Sequence, residues 1–224
     1  AVPHDRARAA RRVRASAIMV DMAGASPRIT AAQAARFDAM MLRLEHRFFA
    51  GTRDWICGRA RGDVLEIAVG TGLNLPHYPD AVRLTGVDLN PELMEFARRR
   101  AGMIGRQIEL RQADAMALPF PEESFDSVVC TFALCEVPDD ASAIGEALRV
   151  LRPGGSLLLA DHVVATNPLV RAGQRVLESV TIRVSGEHFT RRPSVHLDAQ
   201  GAKVVAGDRL TYGAVERVHA RKLI

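Results

Sequence analysis

The stretch "VLEIAVGTGLNLPHYP" (residues 64–79) passes from an apolar run through an acid into a glycine turn, and then into a proline break. An apolar run followed by closely spaced glycines reads as a buried strand turning sharply toward a helix. Turns of this kind bring backbone close to a nucleotide, and their details separate one cofactor class from another. A dinucleotide fingerprint needs G-x-G-x-x-G after the strand. Here the register supplies Ala68, Gly70 and Gly72, followed by Leu73, Asn74 and Leu75, so the third glycine is missing. A phosphate loop of the G-x-x-x-x-G-K-[ST] type is excluded because no lysine stands at that place.

Working outward, strands and helices alternate. Residues 63–69 read as one strand and "VRLTGVDL" (82–89) as the second, and Pro91 opens the helix "PELMEFARRRA". "RQIELRQAD" (106–114) is a third strand and "SFDSVVCTFAL" (124–134) a fourth. A helix over 139–150 ends in the turn "RPGG" (152–155), followed by the strand "SLLLADH". This alternation predicts an α/β fold with right-handed crossovers and a doubly wound, mostly parallel sheet. Beyond His162 the rhythm changes: Leu169, Val170, Gly173, Val176, Leu177 and Val180 mark a helix, and "GEHFTRRP" precedes a short helix ending at Gly201. "AKVVAGDRL" and "AVERVHARK" then alternate as a closing hairpin. Residues 1–62 are expected to form an N-terminal helical arm and lid. Residues 63–224 are expected to form the core, with an insertion at about 163–200 covering the carboxyl ends of the strands, where ligands lie in such sheets.

Asp88 ends the second strand, where a carboxylate can accept both hydroxyls of a ribose. Asp114 ends the third, placed to accept from an adenine amino group. A nucleoside without a pyrophosphate fits this set.

Four pieces in order, "VLEIAVGTG", "LTGVDLNPE", "QADAMALPFPEESFDSVVC" and "EALRVLRPGGSLLL", resemble the class I S-adenosylmethionine-dependent methyltransferases. The resemblance implies a seven-stranded, Rossmann-like methyltransferase fold with N-terminal helices and an inserted helical cap, and S-adenosylmethionine as cofactor. Glu66 would orient the turn near the methionine amino group. The backbone at Ala68, Gly70 and Gly72 would pass under the methionine and ribose. Asp88 would grip the ribose and Leu89 pack on the adenine. Asp114 and Ala115 would read the adenine edge, with Thr131 and Phe132 beside the methionine portion. Ala68 departs from the family's E-x-G-x-G-x-G by replacing its first glycine, and its methyl group is too small to reject the cofactor.

Candidate catalytic residues are His162 after the fifth strand and Glu187 and His188 in "GEHFTRRP", with Glu136, Cys135 and Arg191 also near the expected pocket. The C-terminal third resembles the branch holding alkyl thiol methyltransferases and bacterial proteins labelled as phospholipid or quinone methyltransferases. The expected reaction is in-line methyl transfer to a small-molecule acceptor, a thiol first, or an oxygen or nitrogen; the alternative is a phospholipid or quinone at a membrane surface. The stripe Phe37, Met40, Met41 and Leu44 reads as core packing, and its edge could line the site.

Composition bounds the partners. The 224 residues suit one compact domain, and the net charge of +4 is modest. Aromatics at 5% speak against stacking a flipped base, so no nucleic-acid partner is expected. No apolar run reaches the roughly 20 residues that span a bilayer, so no integral segment is expected, although the basic cluster Arg6 to Arg14 could touch anionic lipid. The apolar run from Ala15 to Val20 is shorter than a signal core. Cys57, Cys130 and Cys135 are odd in number, without zinc-like spacing; no metal is expected, and a reduced cytosol is the simplest compartment.

Overall fold

The computed structural model describes residues 30–184 and 186–224. The basic cluster and the short apolar run after it lie outside the described residues. Helix α1 (Ala31–Phe48) starts at a reciprocal cap: Thr30 Oγ1 accepts from Gln33 N, and Gln33 Oε1 accepts from Thr30 N at 2.9 Å. A short helix α2 (Thr52–Cys57), absent from the sequence reading, leads into β1 (Asp63–Ile67).

After β1 come β2 (Arg83–Asp88), α3 (Pro91–Met103), β3 (Ile108–Gln112) and β4 (Phe125–Thr131). Next are α4 (Asp140–Val150), β5 (Leu151–His162), α5 (Pro168–Val184), β6 (Ala202–Leu210) and β7 (Val215–Lys222). Local chemistry sets the helix starts. Asn90 Oδ1 accepts from Glu92 N and Leu93 N with Pro91 at the first helical position, and Asp139 accepts from Ser142 N. "RPGG" does not end the element before β5 as a free turn; it lies within β5, where a register irregularity opposite Phe125 to Ser127 absorbs it.

The sheet has seven strands in the order β3-β2-β1-β4-β5-β7-β6. All neighbouring pairs from β3 to β5 are parallel, and β7 runs antiparallel to both β5 and β6. The doubly wound, mostly parallel expectation therefore holds. Strand order reverses between β1 and β4, which opens a crevice beyond their carboxyl ends. Alternation divides the core. Leu65, Ile67, Val128, Cys130, Leu157 and Leu159 pack against Ala143, Ile144, Ala147 and Leu148 on one face. Val64, Val129, Leu158 and Ala160 pack with Ile56, Cys57 and Ala60 on the other. All three cysteines are free and buried.

In the α1 stripe, Phe37, Met40 and Met41 are half-buried and Leu44 is exposed. Ala34 and Asp38 are the buried positions of α1, whereas Leu42, Leu44 and Phe48 are exposed. Polar contacts also hold this helix: Asp38 accepts from Thr71 Oγ1 at 2.6 Å and from Arg100 Nη2 at 2.5 Å. Glu45 pairs with Arg53.

Candidate active site

The glycine turn lies at the crevice. Ala68, Gly70 and Gly72 all have positive φ, at 56°, 54° and 78°. A Cβ on Gly72 would press Leu75 at 2.8 Å and Ala97 at 3.1 Å, so glycine there allows close helix packing. A Cβ on Gly70 would meet nothing within 4 Å, so the space above the turn is open. Ala68 carries the strain of a left-handed conformation on a residue with a Cβ, of order 1 kcal/mol. Ala68→Gly is therefore expected to raise stability by up to about 1 kcal/mol, reduced by the lost methyl packing. Thermal unfolding checks this, and a lower melting temperature would show that the methyl contact outweighs the strain.

Asp88 stands beside the turn. Its Oδ2 accepts from Gly70 N at 2.8 Å and its Oδ1 from Asn90 N at 2.8 Å. Each oxygen keeps a second lone pair, which is what two adjacent hydroxyls need. Burial raises its pKa, and the backbone bonds oppose that rise. Asp114 Oδ1 accepts from Met116 N at 2.8 Å, which bends the chain after β3 and leaves Oδ2 for a donor. Leu89 is exposed at the lip, and Ala115 is partly buried against the core. An open cradle over Gly70, a ribose-grade carboxylate at Asp88 and an acceptor at Asp114 fit S-adenosylmethionine.

Glu66 is buried beneath the turn with both oxygens engaged: Oε1 accepts from Asn74 Nδ2 and Oε2 from Tyr78 OH, each at 2.9 Å. Desolvation raises its pKa to about 7 despite these bonds. It braces the turn from below. Asn74 is the hub, because it also donates to Thr131 Oγ1 at 2.9 Å and accepts from Arg53 Nη1 at 2.5 Å. One network thus joins Glu45 of α1, Arg53 of α2, the turn and the end of β4. Sequence reasoning missed Arg53, Asn74 and Tyr78, since nothing local marks an asparagine after "GTGL" as a buried junction. Phe132, in the left-handed region at φ 54°, turns the chain at the end of β4.

The candidate catalytic residues come together across elements. His188 N donates to Cys135 O at 2.8 Å, which lays the "GEHF" segment along the loop after β4. Asp161, at the end of β5, accepts from Cys135 N at 3.1 Å. Desolvation raises the Glu187 pKa to about 7, with repulsion from Asp161 adding to it, and raises Asp161 to about 6. Glu136 is pushed well up, by burial first and then by Glu187, Asp161 and Asp88. Glu136, Glu187 and His162 keep part of their surface open although protein encloses them, as side chains lining a concave site do.

His162 is boxed by aromatics, with ring centroids 5.2 Å from Phe132, 5.7 Å from Phe189 and 5.8 Å from Phe49. Burial lowers its pKa to about 4, so it is a neutral wall at physiological pH and a poor proton acceptor. His188 Nδ1 faces Glu178 Oε1 at 3.3 Å. Arg191 Nη1 donates to Val137 O at 2.7 Å and straps the insertion to the loop after β4. The buried Cys135 thiol is pushed up by desolvation and by the surrounding acids, so it is inert as a nucleophile. The sequence placed the acids near the site singly, and only the fold gathers them.

A family model described as "Methyltransferase domain" matches residues 65–159. A phosphatidylethanolamine N-methyltransferase of Cereibacter sphaeroides is 39% identical over 118 residues, which cover 52% of this chain and 58% of that protein. A ubiquinone/menaquinone biosynthesis C-methyltransferase of Pseudomonas putida is 34% identical over 207 residues, 80% of this chain and 79% of that one. The chain spans about half the length of the first two curated relatives it matches, 58% and 54%. Among solved structures, a SAM-dependent methyltransferase of Methanosarcina mazei superposes with a TM-score of 0.61 at 22% identity, covering 72% of this chain and 92% of its own. At that identity the likeness is one of fold.

Proposed function

The chain belongs to the S-adenosylmethionine-dependent methyltransferases, and from that membership we propose that it methylates the amine nitrogen of a small-molecule acceptor. The supporting observation is the set of carboxyl groups, Glu136, Glu187 and Asp161, gathered beside the aromatic wall of Phe49, Phe132, Phe189 and His162. Bound S-adenosylmethionine supplies a methyl group already activated on a sulfonium for in-line displacement.

The residues of this chain then have three tasks. The turn and Asp88 fix the donor end, and the aromatic wall excludes water and attracts a cationic head through its ring faces. The acid set takes up the charge and the proton of an ammonium. Glu187, with its pKa raised to about 7, is better matched to accept that proton than an ordinary carboxylate, and Glu136 shares the load. Because these groups interact, their protons belong to the set rather than to one residue. A thiolate, the first acceptor suggested by the sequence, would face the same carboxylates and be repelled. With S-adenosylmethionine bound, the nitrogen lone pair would form the new N–C bond as the donor's S–C bond broke with its electron pair left on sulfur, and Glu187 and Glu136 would receive the nitrogen's proton.

A second reading is methylation of a ring carbon on a hydroxylated aromatic acceptor. The aromatic wall suits a planar ring, an acid set can take a hydroxyl proton, and the Pseudomonas putida relative carries that kind of name. S-adenosylhomocysteine formation with an amine, an alkyl thiol and a hydroquinone, each against a no-enzyme control, separates these readings. The amine is expected to give product well above background. Turnover of the thiol alone would overturn the amine assignment, and turnover of the hydroquinone alone would move it to the ring.

A further inference from the structure

Helix α5 is built inside out. Its core-facing side is polar: Gln174 is buried, accepts from Ala165 N at 2.7 Å and donates to Val163 O at 2.8 Å. Glu178 is also buried and faces His188. Leu169, Val176 and Val180, at helical spacing on the opposite side, are exposed, Leu169 by 84% and Val176 by 72%, and Leu177 is exposed at the border between the two sides. A helix in water puts its apolar stripe on the core; this one turns it outward, where water meets it unfavourably. A contiguous apolar face of this kind marks an interaction surface.

The charge on the helix selects the partner. The only acid in α5 is the buried Glu178, while the exposed Arg175 stands at the edge of the stripe, and no described carboxylate pairs with it. Arg171, on the Gln174 side, donates to Ala165 O and Thr166 O and anchors the start of the helix. An apolar stripe edged by arginine and free of exposed acid is the composition of a helix lying in the plane of a lipid interface, with cations toward anionic headgroups. The surface continues on the same rim. Thr166 N and Asn167 N donate to Tyr212 O, placing the exposed Tyr212 beside the start of α5, and Thr211 Oγ1 bonds Phe48 O at the exposed end of α1. No described helix is long and apolar enough to cross a membrane.

We propose that the outer face of α5, with Tyr212 and Phe48 beside it, seats the protein on an anionic lipid surface. This inference stands apart from the amine reading, because binding to vesicles is measured without acceptor or turnover.

The test is co-flotation of the full chain with vesicles of phosphatidylcholine alone or mixed with phosphatidylglycerol, beside light scattering of the protein without lipid. Wild type is expected to float with the anionic vesicles, weakly with the neutral ones, and less as salt rises. Val176→Asp with Val180→Asp is expected to lower the partition coefficient about tenfold or more, and Arg175→Glu to lower it mainly on anionic vesicles. These positions are exposed, so the melting temperature should stay unchanged. Failure of wild type to float, or undiminished flotation of the Val176/Val180 variant, would overturn the proposal. So would a lipid-free dimer that this variant abolishes, since a second copy would then cover the face.

Discussion

Asp88→Ala is expected to weaken S-adenosylmethionine binding about 100-fold or more, read by titration calorimetry. Two contributions add. The ribose loses an ionised acceptor for two hydroxyls, and charged hydrogen bonds of this kind contribute about 1.5–3 kcal/mol each in favourable settings. The turn also loses its brace, because Asp88 accepts from Gly70 N and Asn90 N. Asp88→Asn separates these contributions. Its remaining carbonyl oxygen can keep one backbone bond, while its amide cannot accept from a hydroxyl, so an intermediate loss is expected. Unchanged affinity in Asp88→Ala would remove the residue from the cofactor site. A fall in melting temperature with unchanged affinity would leave it a purely structural brace.

The second large effect concerns the acids. Glu136→Gln and Glu187→Gln are each expected to lower kcat by about 10²-fold or more while sparing cofactor affinity, the range that positioned proton transfer supplies. The pH profile carries the distinctive readout. Glu187 must be ionised to accept a proton, and its pKa is raised to about 7 by desolvation and by Asp161. Activity of the wild type should therefore climb as pH rises through about 7. In Glu187→Gln that inflection should disappear, leaving only the titration of the acceptor and of the remaining acids. A Glu187→Gln enzyme with the wild-type profile would exclude Glu187 as the acceptor of the proton. Loss of cofactor affinity in either variant would place that acid at the donor end of the crevice instead.

The same shifts link pH to folding. Glu66, Asp161 and Glu187 hold their protons more tightly folded than unfolded, with folded pKa values of about 7, 6 and 7. Their contribution is fully present below the ordinary carboxylate range near 4 and is lost as pH rises through 6 to 7. These three groups favour the ligand-free fold in mild acid over pH 8, while His162, with its pKa lowered to about 4, opposes them as pH falls below the ordinary imidazole range. A cationic ligand beside these groups opposes that loss.

How much of this was legible beforehand differs by feature. The glycine turn, Asp88 and Asp114 were readable because each is fixed by local chain geometry: a strand end, a tight turn, a carboxylate at the carboxyl edge. Glycine at 70 and 72 reports backbone directly, through positive φ and close packing against Ala97. The bracing network was not readable. Glu45, Arg53, Asn74, Glu66 and Tyr78 meet only because α1, α2, the turn and β1 fold over one another, and no spacing encodes that meeting.

Periodicity misled in an instructive way. In α1 and α5 it correctly marked helices, because a repeat of apolar side chains near 3.6 residues follows from helix geometry alone. It does not say which side of the helix meets the core. In α5 the buried contacts are those of Gln174 and Glu178 and the apolar stripe turns outward, whereas in α1 Phe37, Met40 and Met41 stay half-buried beside the buried Asp38.

By itself the sequence determined the succession of strands and helices and the cofactor turn, since these rest on neighbours in the chain, and four ordered motifs carried the resemblance that implied the class of reaction. Tertiary structure alone decided what the acceptor meets. It brought Glu136, Asp161 and Glu187 from three separate segments into mutual repulsion, enclosed His162 among Phe49, Phe132 and Phe189, and set the outer face of α5 toward its surroundings. The physical reason is that burial and repulsion depend on distance through space, which a linear pattern does not carry.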